Sequence, residues 1–316
     1  MGSQNKQNTG IYFLMLLVPL FWGGSYGAAK HLVTEISPIT AATLQFGPAS
    51  LVLLLVVTMR SQWKIDVLKK QWFGLLMMAL TGILGYHAFF FVALGYTSAI
   101  NGSLIMATTP VFVTFGAVLF LNETWNRRRG FGLLLSLIGV FLVIIKGSLE
   151  TLVSLTFNAG DLLFVAGLIC WVVHGLIGKV VMKESSPLFT TTITMLIGSI
   201  FFAIWSLFEG EWGNVLNMSG QSWIEMLFLI VCSTVVAFLL WNKGIYQIGA
   251  SKSSLYMNLV PINATWIALL FYGAVITWQQ IAGMSMVIVG VYVATTSHKI
   301  SFIHLKKKKA NNTITQ

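Results

Sequence analysis

Apolar residues fill ten long stretches of the chain, and short polar segments separate each stretch from the next. Each stretch holds about 20 residues, which is the length a helix needs to cross roughly 30 Å of hydrocarbon. Backbone groups in lipid must pair within their own segment, so these stretches predict helices. The pattern therefore predicts an all-α integral membrane protein with ten transmembrane helices, at 11–31, 38–59, 72–95, 98–121, 129–147, 160–182, 187–208, 223–246, 250–272 and 277–297.

The second half of the pattern repeats the first. The fourth stretch carries Pro110 and the ninth carries Pro261, 151 positions later, with matching neighbours on both sides. Earlier in the chain the offset is 149, and it aligns Trp22 with Trp171. Each half holds five helices, and an odd number turns the second copy upside down in the membrane. The expected units are a first five-helix repeat, a second and inverted one, and a basic tail, at 11–147, 160–297 and 298–316.

Charged loop residues give an independent prediction of orientation. The loop between the second and third stretches is basic, whereas the matching loop in the second half contains Glu209 and Glu211 and no Lys or Arg. Cytoplasmic loops carry an excess of Lys and Arg. Equivalent loops should thus lie on opposite sides, with both termini in the cytoplasm of a plasma-membrane protein.

Composition excludes a soluble fold. Hydrophobic residues make up 56% of the chain and charged residues 9%, against about 25% charged in an ordinary soluble domain. The net charge of +10 comes from loops and the Lys306–Lys309 run, and it forms no stripe typical of a nucleic-acid surface. The lipid bilayer is the expected partner. Neither a metal site nor a cofactor is indicated, because Cys170 and Cys232 lie in apolar runs without ligand spacing.

Inverted repeats with helices broken near mid-span are typical of secondary transporters, whose substrate sites lie at the midplane between the repeats. Pro110 and Pro261 each remove a backbone donor and free a carbonyl. We expect the freed carbonyls, with Thr108, Thr109, Asn258 and Asn263, to face one shared cavity and not lipid. The alternative is a kink satisfied by neighbouring helices.

Polar and aromatic residues inside the stretches are the candidates for a substrate pathway, because such groups are costly in lipid and aromatic rings combine an apolar body with a polar edge. The alternative for the Ser, Thr and Asn residues is hydrogen bonding between helices. The candidates are Trp22, Ser25, Tyr26, Tyr86, His87, Asn101, Ser103, Thr108, Thr109, Pro110, Trp171, His174, Trp241, Ser254, Tyr256, Asn258, Pro261 and Asn263.

Energy coupling is weakly marked in the sequence. The acidic residues fall in loops or near the ends of the stretches, so no carboxylate is expected at mid-depth. His87 and His174 are the deep groups that titrate near neutral pH, although a buried neutral histidine that bonds a neighbour is the alternative. Proton coupling, exchange and facilitated diffusion all stay open.

The quoted motifs resemble those of a known family. The segments "FWGGSYGAAK", "ALGYTSAINGSLIMATTPVF" followed by "LNE", and "GASKSSLYMNLVP" are similar to EamA-type transporters of the drug/metabolite transporter superfamily, over nearly the whole chain. Asn122-Glu123 and Gly273-Ala274 stand where the family often has Gly-Glu, so the second acid is missing. The resemblance implies movement of amino acids, other metabolites or drugs without ATP.

The predicted function is a secondary transporter for a small molecule, working by alternating access and favouring export. Import or facilitation without proton coupling is the alternative, and a membrane-embedded enzyme is a distant one. An enzyme would need a motif such as HExxH or GxSxG, and neither is in the sequence. A channel would need a charged ring or a filter-like repeat. The oligomeric state stays open.

Overall fold

The structure, a computed structural model, describes residues 10–97, 102, 105–145, 158–209, 212–272 and 275–295. These ranges are helical and contain no strand. In chain order the helices are α1 (Gly10–Glu35), α2 (Pro38–Met59), α3 (Ile65–Tyr96), α4 (Ile105–Phe120), α5 (Arg127–Ile145), α6 (Ala159–Val181), α7 (Pro187–Glu209), α8 (Gly220–Ile248), α9 (250–272) and α10 (Trp278–Thr295). Within the described ranges, eight are long and apolar enough to cross a membrane; α4 is shorter.

Polar caps fix where several helices begin. Ser37 accepts a hydrogen bond from the backbone of the first turn of α2, and Pro38 follows at the first helical position. Asn158 and Asp161 form a reciprocal capping box at α6, and Ser219 caps α8. These side chains satisfy N–H groups that the first turn leaves without helical partners.

Helix α3 starts earlier than the apolar pattern predicts, at Ile65 instead of residue 72. Its first turns contain Lys69 and Lys70, which hydropathy counts as loop. A helix can continue past the apolar run because long basic side chains reach toward the membrane surface. The charged residues thus mark where the helix leaves the apolar layer and not where it ends.

The helices α3, α8 and α9 change their winding near mid-span. Helix α3 is a π-helix over Ala79–Gly85, and α8 is one over Leu229–Val236. Helix α9 tightens to a 3₁₀-helix over Leu255–Leu259, directly before the turn that contains Pro261. Proline supplies no N–H to the preceding turn, which accounts for the irregular winding of α9.

Glycines allow two of the helices to pack closely. Helices α5 and α10 touch through backbone, since a Cβ on Gly132 would lie 2.5 Å from the Gly290 oxygen and one on Gly139 would lie 2.6 Å from that of Gly283. Such close approach through glycine is a common membrane packing mode. Any larger side chain at these positions would push the two helices apart.

Large apolar side chains cover the outside of the bundle. Phe208 is 85% exposed and Leu270 is 73% exposed. So much exposed apolar surface would be unfavourable in water, whereas it is well solvated by lipid. The chain is a multi-pass membrane protein.

Candidate functional site

Three tryptophans meet at the centre of the bundle. The ring centroids of Trp22 on α1, Trp171 on α6 and Trp241 on α8 lie 5.3 to 5.6 Å from one another. Phe238 lies 5.7 Å from both Trp22 and Trp171. The cluster brings together helices that are far apart in the chain, through edge-to-face and tilted ring contacts that favour packing.

A cavity lies beside this cluster, between α1, α2, α3, α6, α8 and α9. Its free space is about 40 Å³, enough for a few water molecules. A metabolite would therefore need the surrounding helices to move apart. The lining residues are Trp22, Ser25, Tyr26, Ala29, Gln45, Tyr86, His87, Phe90, Phe91, Trp171, Leu229, Ser233, Phe238, Met257 and Val260.

The π-helical segments supply hydrogen-bond acceptors to this site. The Trp22 indole N–H donates to the Ser233 carbonyl at 3.0 Å, within the π-helix of α8. His87 Nδ1 lies 3.0 Å from the Gly82 oxygen and 3.1 Å from the Ile83 oxygen, within that of α3. A π-helix shifts the backbone register and is often found at functional sites. Both π segments are therefore part of the site.

The hydrogen bonds assign the tautomer of each central histidine. His174 Nδ1 lies 3.0 Å from the Met78 oxygen, as His87 Nδ1 lies near carbonyls of α3. Carbonyl oxygens only accept, so Nδ1 carries a proton, and in the neutral ring Nε2 is then an acceptor. The His174 ring stacks on Trp171 with a centroid distance of 5.4 Å. The Nδ1–H group of each ring is thus engaged by a backbone carbonyl, in aromatic surroundings.

Several buried polar atoms of the site have no hydrogen-bond partner within the described part of the chain. They are Gln45 Oε1, His174 Nε2 and the indole nitrogens of Trp171 and Trp241. Gln45 itself donates through Nε2 to Thr234 Oγ1 at 2.8 Å. Buried polar groups are nearly always paired in folded proteins, so these atoms are candidates for substrate contacts.

The central cavity gathers many of the residues that the sequence singled out. Six of them line it directly, and His174 and Trp241 pack behind Trp171. The six lining residues are Trp22, Ser25, Tyr26, Tyr86, His87 and Trp171.

The polar candidates on α4 and α9 make their hydrogen bonds elsewhere. Asn258 donates to Ser136 Oγ at 2.8 Å, which ties α9 to α5. The others bond backbone oxygens: Thr108 to Ile105, Thr109 to Met106, Ser254 to Ser251, Tyr256 to Tyr12 and Asn263 to Leu259. None of these six is among the described residues that line the central cavity, and Tyr256 and Asn263 lie instead on a groove at the outside of the bundle. Asn101 and Ser103 lie outside the described residues.

The two proline-containing segments differ in their surroundings. Pro261 lines a narrow space of about 10 Å³ with Tyr26, Met106 and Met257, next to the central cavity, whereas Pro110 is buried near the start of the regular part of α4. The segment before each proline, including Met106 and Met257, therefore reaches the centre.

Sequence reasoning missed several lining residues. Gln45 is the most informative, since an amide inside the apolar run of α2 is a signal that the sequence does carry. Ser233 contributes a backbone carbonyl that accepts from Trp22 within the π-helix of α8, and no sequence pattern marked it. Phe90 and Phe238 were passed over as ordinary apolar residues.

Lysines fix the ends of two helices at matching places. Lys30 Nζ donates to the Leu94 carbonyl at the end of α3. Lys179 Nζ donates to the Ile245 carbonyl at 3.0 Å at the end of α8. A cation at a helix C-terminus is favourable because the terminal carbonyls are unpaired and partly negative. These lysines are thus engaged near the ends of the bundle.

A carboxylate from the segment between α4 and α5 contacts the end of α8 and the start of α9. Glu123 Oε1 accepts from the backbone N–H of Ala250 at 3.1 Å, and Glu123 Oε2 lies 3.5 Å from Arg129 Nη1. Gly249 adopts φ +93 there, and a Cβ on it would lie 2.8 Å from Glu123. Ala274 stands 151 positions after Glu123, so its side chain cannot act as an acceptor at the other end.

A larger groove of about 810 Å³ lies between α1, α9 and α10. Its walls include Phe13 and Tyr292, which are 69% and 63% exposed. It opens toward the outside of the bundle and is mainly apolar. These features fit a lipid-facing surface, so the smaller central cavity is the stronger candidate site.

Known proteins give an independent comparison. The model of the EamA-like transporter family matches residues 9–145 and 158–296. The chain is 34% identical over 304 residues to the uncharacterized transporter YyaM of Bacillus subtilis, covering 96% of this chain and 99% of YyaM. It is 28% identical to an uncharacterized transporter of Archaeoglobus fulgidus, covering 91% and 98%. A solved crystal structure aligns with a TM-score of 0.72 at 17% identity, over 90% of this chain and 97% of the other.

Proposed function

The chain belongs to the EamA-like transporter family, and from this premise we propose that it moves a small molecule through the central cavity by alternating access. The substrate would be an amino acid, a similar metabolite or a drug, and export is the favoured direction. Import or uncoupled facilitation is the alternative. The observation that carries the proposal is the aromatic cavity with unpaired polar atoms, built from helices of both halves.

Alternating access calls for two halves that can rock about a central site, and we propose ten transmembrane helices in two inverted repeats. Contacts between residues at one offset support this. Trp22 meets Trp171 across 5.4 Å, and Ser50 Oγ lies 3.1 Å from Ser199 Oγ; both pairs are 149 positions apart. A residue touches its own repeat partner only near a two-fold axis. The two π-helices end at Gly85 and Val236, 151 positions apart, which is the offset of the later part of the repeat.

Both termini are proposed to be cytoplasmic, in the plasma membrane. The support is the distribution of basic residues, since the α2–α3 loop is basic and the α7–α8 loop carries Glu209 and Glu211. Basic loops favour the cytoplasmic side. On this topology, the Glu123 and Lys179 contacts lie at the cytoplasmic end and Lys30 lies at the opposite end.

Proton coupling through His87 or His174 is one of three modes of transport that we leave to experiment. Both rings donate to backbone carbonyls, and no acidic residue is among those that line the cavity in the described ranges. A site of this kind can also work by exchange or by facilitated diffusion, and a pH gradient across vesicles separates these modes.

The family and the names of its relatives indicate a transporter and not an enzyme. A membrane-embedded enzyme would need a nucleophile with a base or a group of metal ligands at the cavity. In the residues described, no cluster of three His, Cys, Asp or Glu side chains could hold a metal. The family and its relatives therefore favour a transporter over an enzyme.

The test is a toxicity screen of metabolites and drugs in a host that overproduces the protein, followed by efflux measurement for each protected compound. Trp171→Ala is expected to abolish protection, because it removes a wall of the cavity. Trp205→Ala is the matched control, since Trp205 is 44% exposed on α7 and outside the cavity. Equal loss in both variants, or full protection with Trp171→Ala, would contradict the proposed site.

A further inference from the structure

A basic groove lies where α2 and α8 end and α7 begins, and we call it the α2–α8 groove. Its free volume is about 430 Å³. Its lining residues come from α2 and the loop after it, in the first half, and from α7, α8 and the loop before α7, in the second half. Among the described residues it shares none with the central cavity. On the orientation proposed above, these helix ends lie at the cytoplasmic surface.

Two cationic side chains line the α2–α8 groove. Arg60 directly follows the last residue of α2, Lys243 lies near the end of α8, and both residues are exposed. Within the described ranges, neither side chain makes a hydrogen bond or an ion pair, whereas Lys70 pairs with Glu184 at 2.9 Å. The described lining contains no Asp or Glu. The groove therefore carries two positive charges without a counter-charge from the protein, which suits an anion.

Neutral hydrogen-bond donors line the groove as well. The Gln62 side-chain amide makes no hydrogen bond in the part of the chain that the structure describes. The Ser186 hydroxyl accepts from the Phe189 backbone N–H at 3.2 Å and keeps its own proton to donate. An arginine can bind two phosphate oxygens at once, and a lysine contacts phosphate as a point charge. This set of donors fits a phosphate group.

Apolar walls continue from the cations toward the hydrocarbon. Val56 stands four residues before Arg60, and Leu239 stands four residues before Lys243, which places each about one helical turn deeper in the membrane. A soluble phosphate compound would contact the cations and leave these walls unused, whereas a lipid uses both. The cytoplasmic leaflet is rich in anionic lipids. Resting on the proposed orientation, we propose that the α2–α8 groove binds an anionic phospholipid, whose phosphate contacts Arg60 and Lys243 and whose acyl chain lies along the apolar walls.

Matched variants separate a lipid site from the general role of basic loops in orienting membrane proteins. Lys64 and Lys183 belong to the same two loops and are exposed, but they do not line the groove. The test variant combines Arg60→Gln with Lys243→Gln, and the control combines Lys64→Gln with Lys183→Gln. Each removes two positive charges from one surface. Size-exclusion profiles and melting temperatures report folding, and Lys243→Gln alone replaces the test variant if the pair does not fold.

Binding is measured by native mass spectrometry on the purified full chain in a neutral detergent. The probes are phosphatidylglycerol, which is anionic, and phosphatidylcholine, which is zwitterionic, with the same acyl chains. We expect phosphatidylglycerol to bind about tenfold or more tightly, because each Lys or Arg near an anionic lipid surface contributes about fivefold in affinity. The test variant should lose this preference, and the control should keep it.

Three results would overturn the proposal. Equal affinity for the two lipids would show that the groove does not recognise the charge. Equal loss in the test variant and the control would show that the charges act only as a diffuse basic surface. Displacement of phosphatidylglycerol by millimolar inorganic phosphate would show that the site takes a soluble anion. The measurement involves no transport, so a failed lipid test leaves the proposed function standing, and a failed host screen leaves the lipid site standing.

Discussion

Replacing Trp22 by Phe removes one indole N–H while keeping an aromatic ring at the centre of the bundle. That N–H donates to the Ser233 carbonyl at 3.0 Å, in a fully buried contact. The carbonyl belongs to the π-helix of α8, so the neighbouring turn does not supply a regular replacement. Leaving a buried acceptor unpaired costs about 1–3 kcal/mol in water-soluble proteins, and hydrogen bonds between membrane helices are worth about 0.6–2 kcal/mol. We expect Trp22→Phe to lose about 1–2 kcal/mol.

Trp171→Phe is the matched control for this change. Trp171 stands 149 positions after Trp22 and touches the same cluster, but its indole nitrogen has no partner in the described part of the chain. The two variants share the loss of ring volume and differ in the hydrogen bond. We expect Trp171→Phe to be more stable than Trp22→Phe and to lose substrate binding if its N–H contacts substrate.

The assay is reversible unfolding of both purified variants in mixed micelles, followed by circular dichroism, with substrate affinity measured on the folded proteins. A difference in free energy of unfolding of about 1.4 kcal/mol corresponds to a tenfold change in the folding equilibrium. Equal unfolding free energies for the two variants would refute the reasoning, because the carbonyl of the π-helix would then not depend on Trp22.

Three further predictions concern topology, coupling and the proline breaks. A cysteine in place of Asn312 is expected to react with an impermeant thiol reagent only from inside the cell; labelling of intact cells would contradict cytoplasmic termini. If protons drive transport, His87→Gln or His174→Gln should flatten the dependence of the transport rate on pH. If both variants keep the wild-type dependence on pH, histidine-based coupling is excluded. Pro110→Ala combined with Pro261→Ala should lower turnover more than affinity, since restored helical bonds favour one conformation; wild-type turnover would show that the breaks are only inherited kinks.

The helices could be predicted from the sequence because lipid imposes a single strong rule on the backbone. The apolar runs predicted ten stretches; in the described residues eight helices are long and apolar enough to cross a membrane, and α3 begins earlier, at Ile65. Hydropathy alone could not locate that start, because Lys69 and Lys70 lower the mean hydropathy of a segment that is nevertheless helical. The π-helical segments could not be predicted either, because the sequence of Ala79–Gly85 does not differ from that of an ordinary apolar helical turn.

The candidate site was predicted in part. Four of the predicted residues line the cavity with aromatic rings that have polar edges: Trp22, Tyr86, His87 and Trp171. They could be predicted because such side chains are uncommon inside apolar runs. Residues such as Thr109 could not be assigned in the same way, because a short polar side chain can bond a carbonyl of its own helix. Which way it points depends on helix packing that no single segment encodes.

The most direct test of the account is whether the central cavity is reached from both sides of the membrane. The measurement uses Ser25→Cys, at a lining position, in a chain whose Cys170 and Cys232 are replaced by Ala, reconstituted with known orientation. An impermeant thiol reagent is added to one side at a time. Alternating access predicts that the cysteine at position 25 reacts from either side and that a transported substrate slows both reactions. Reaction from one side only, or from neither, would contradict a transport pathway through this cavity.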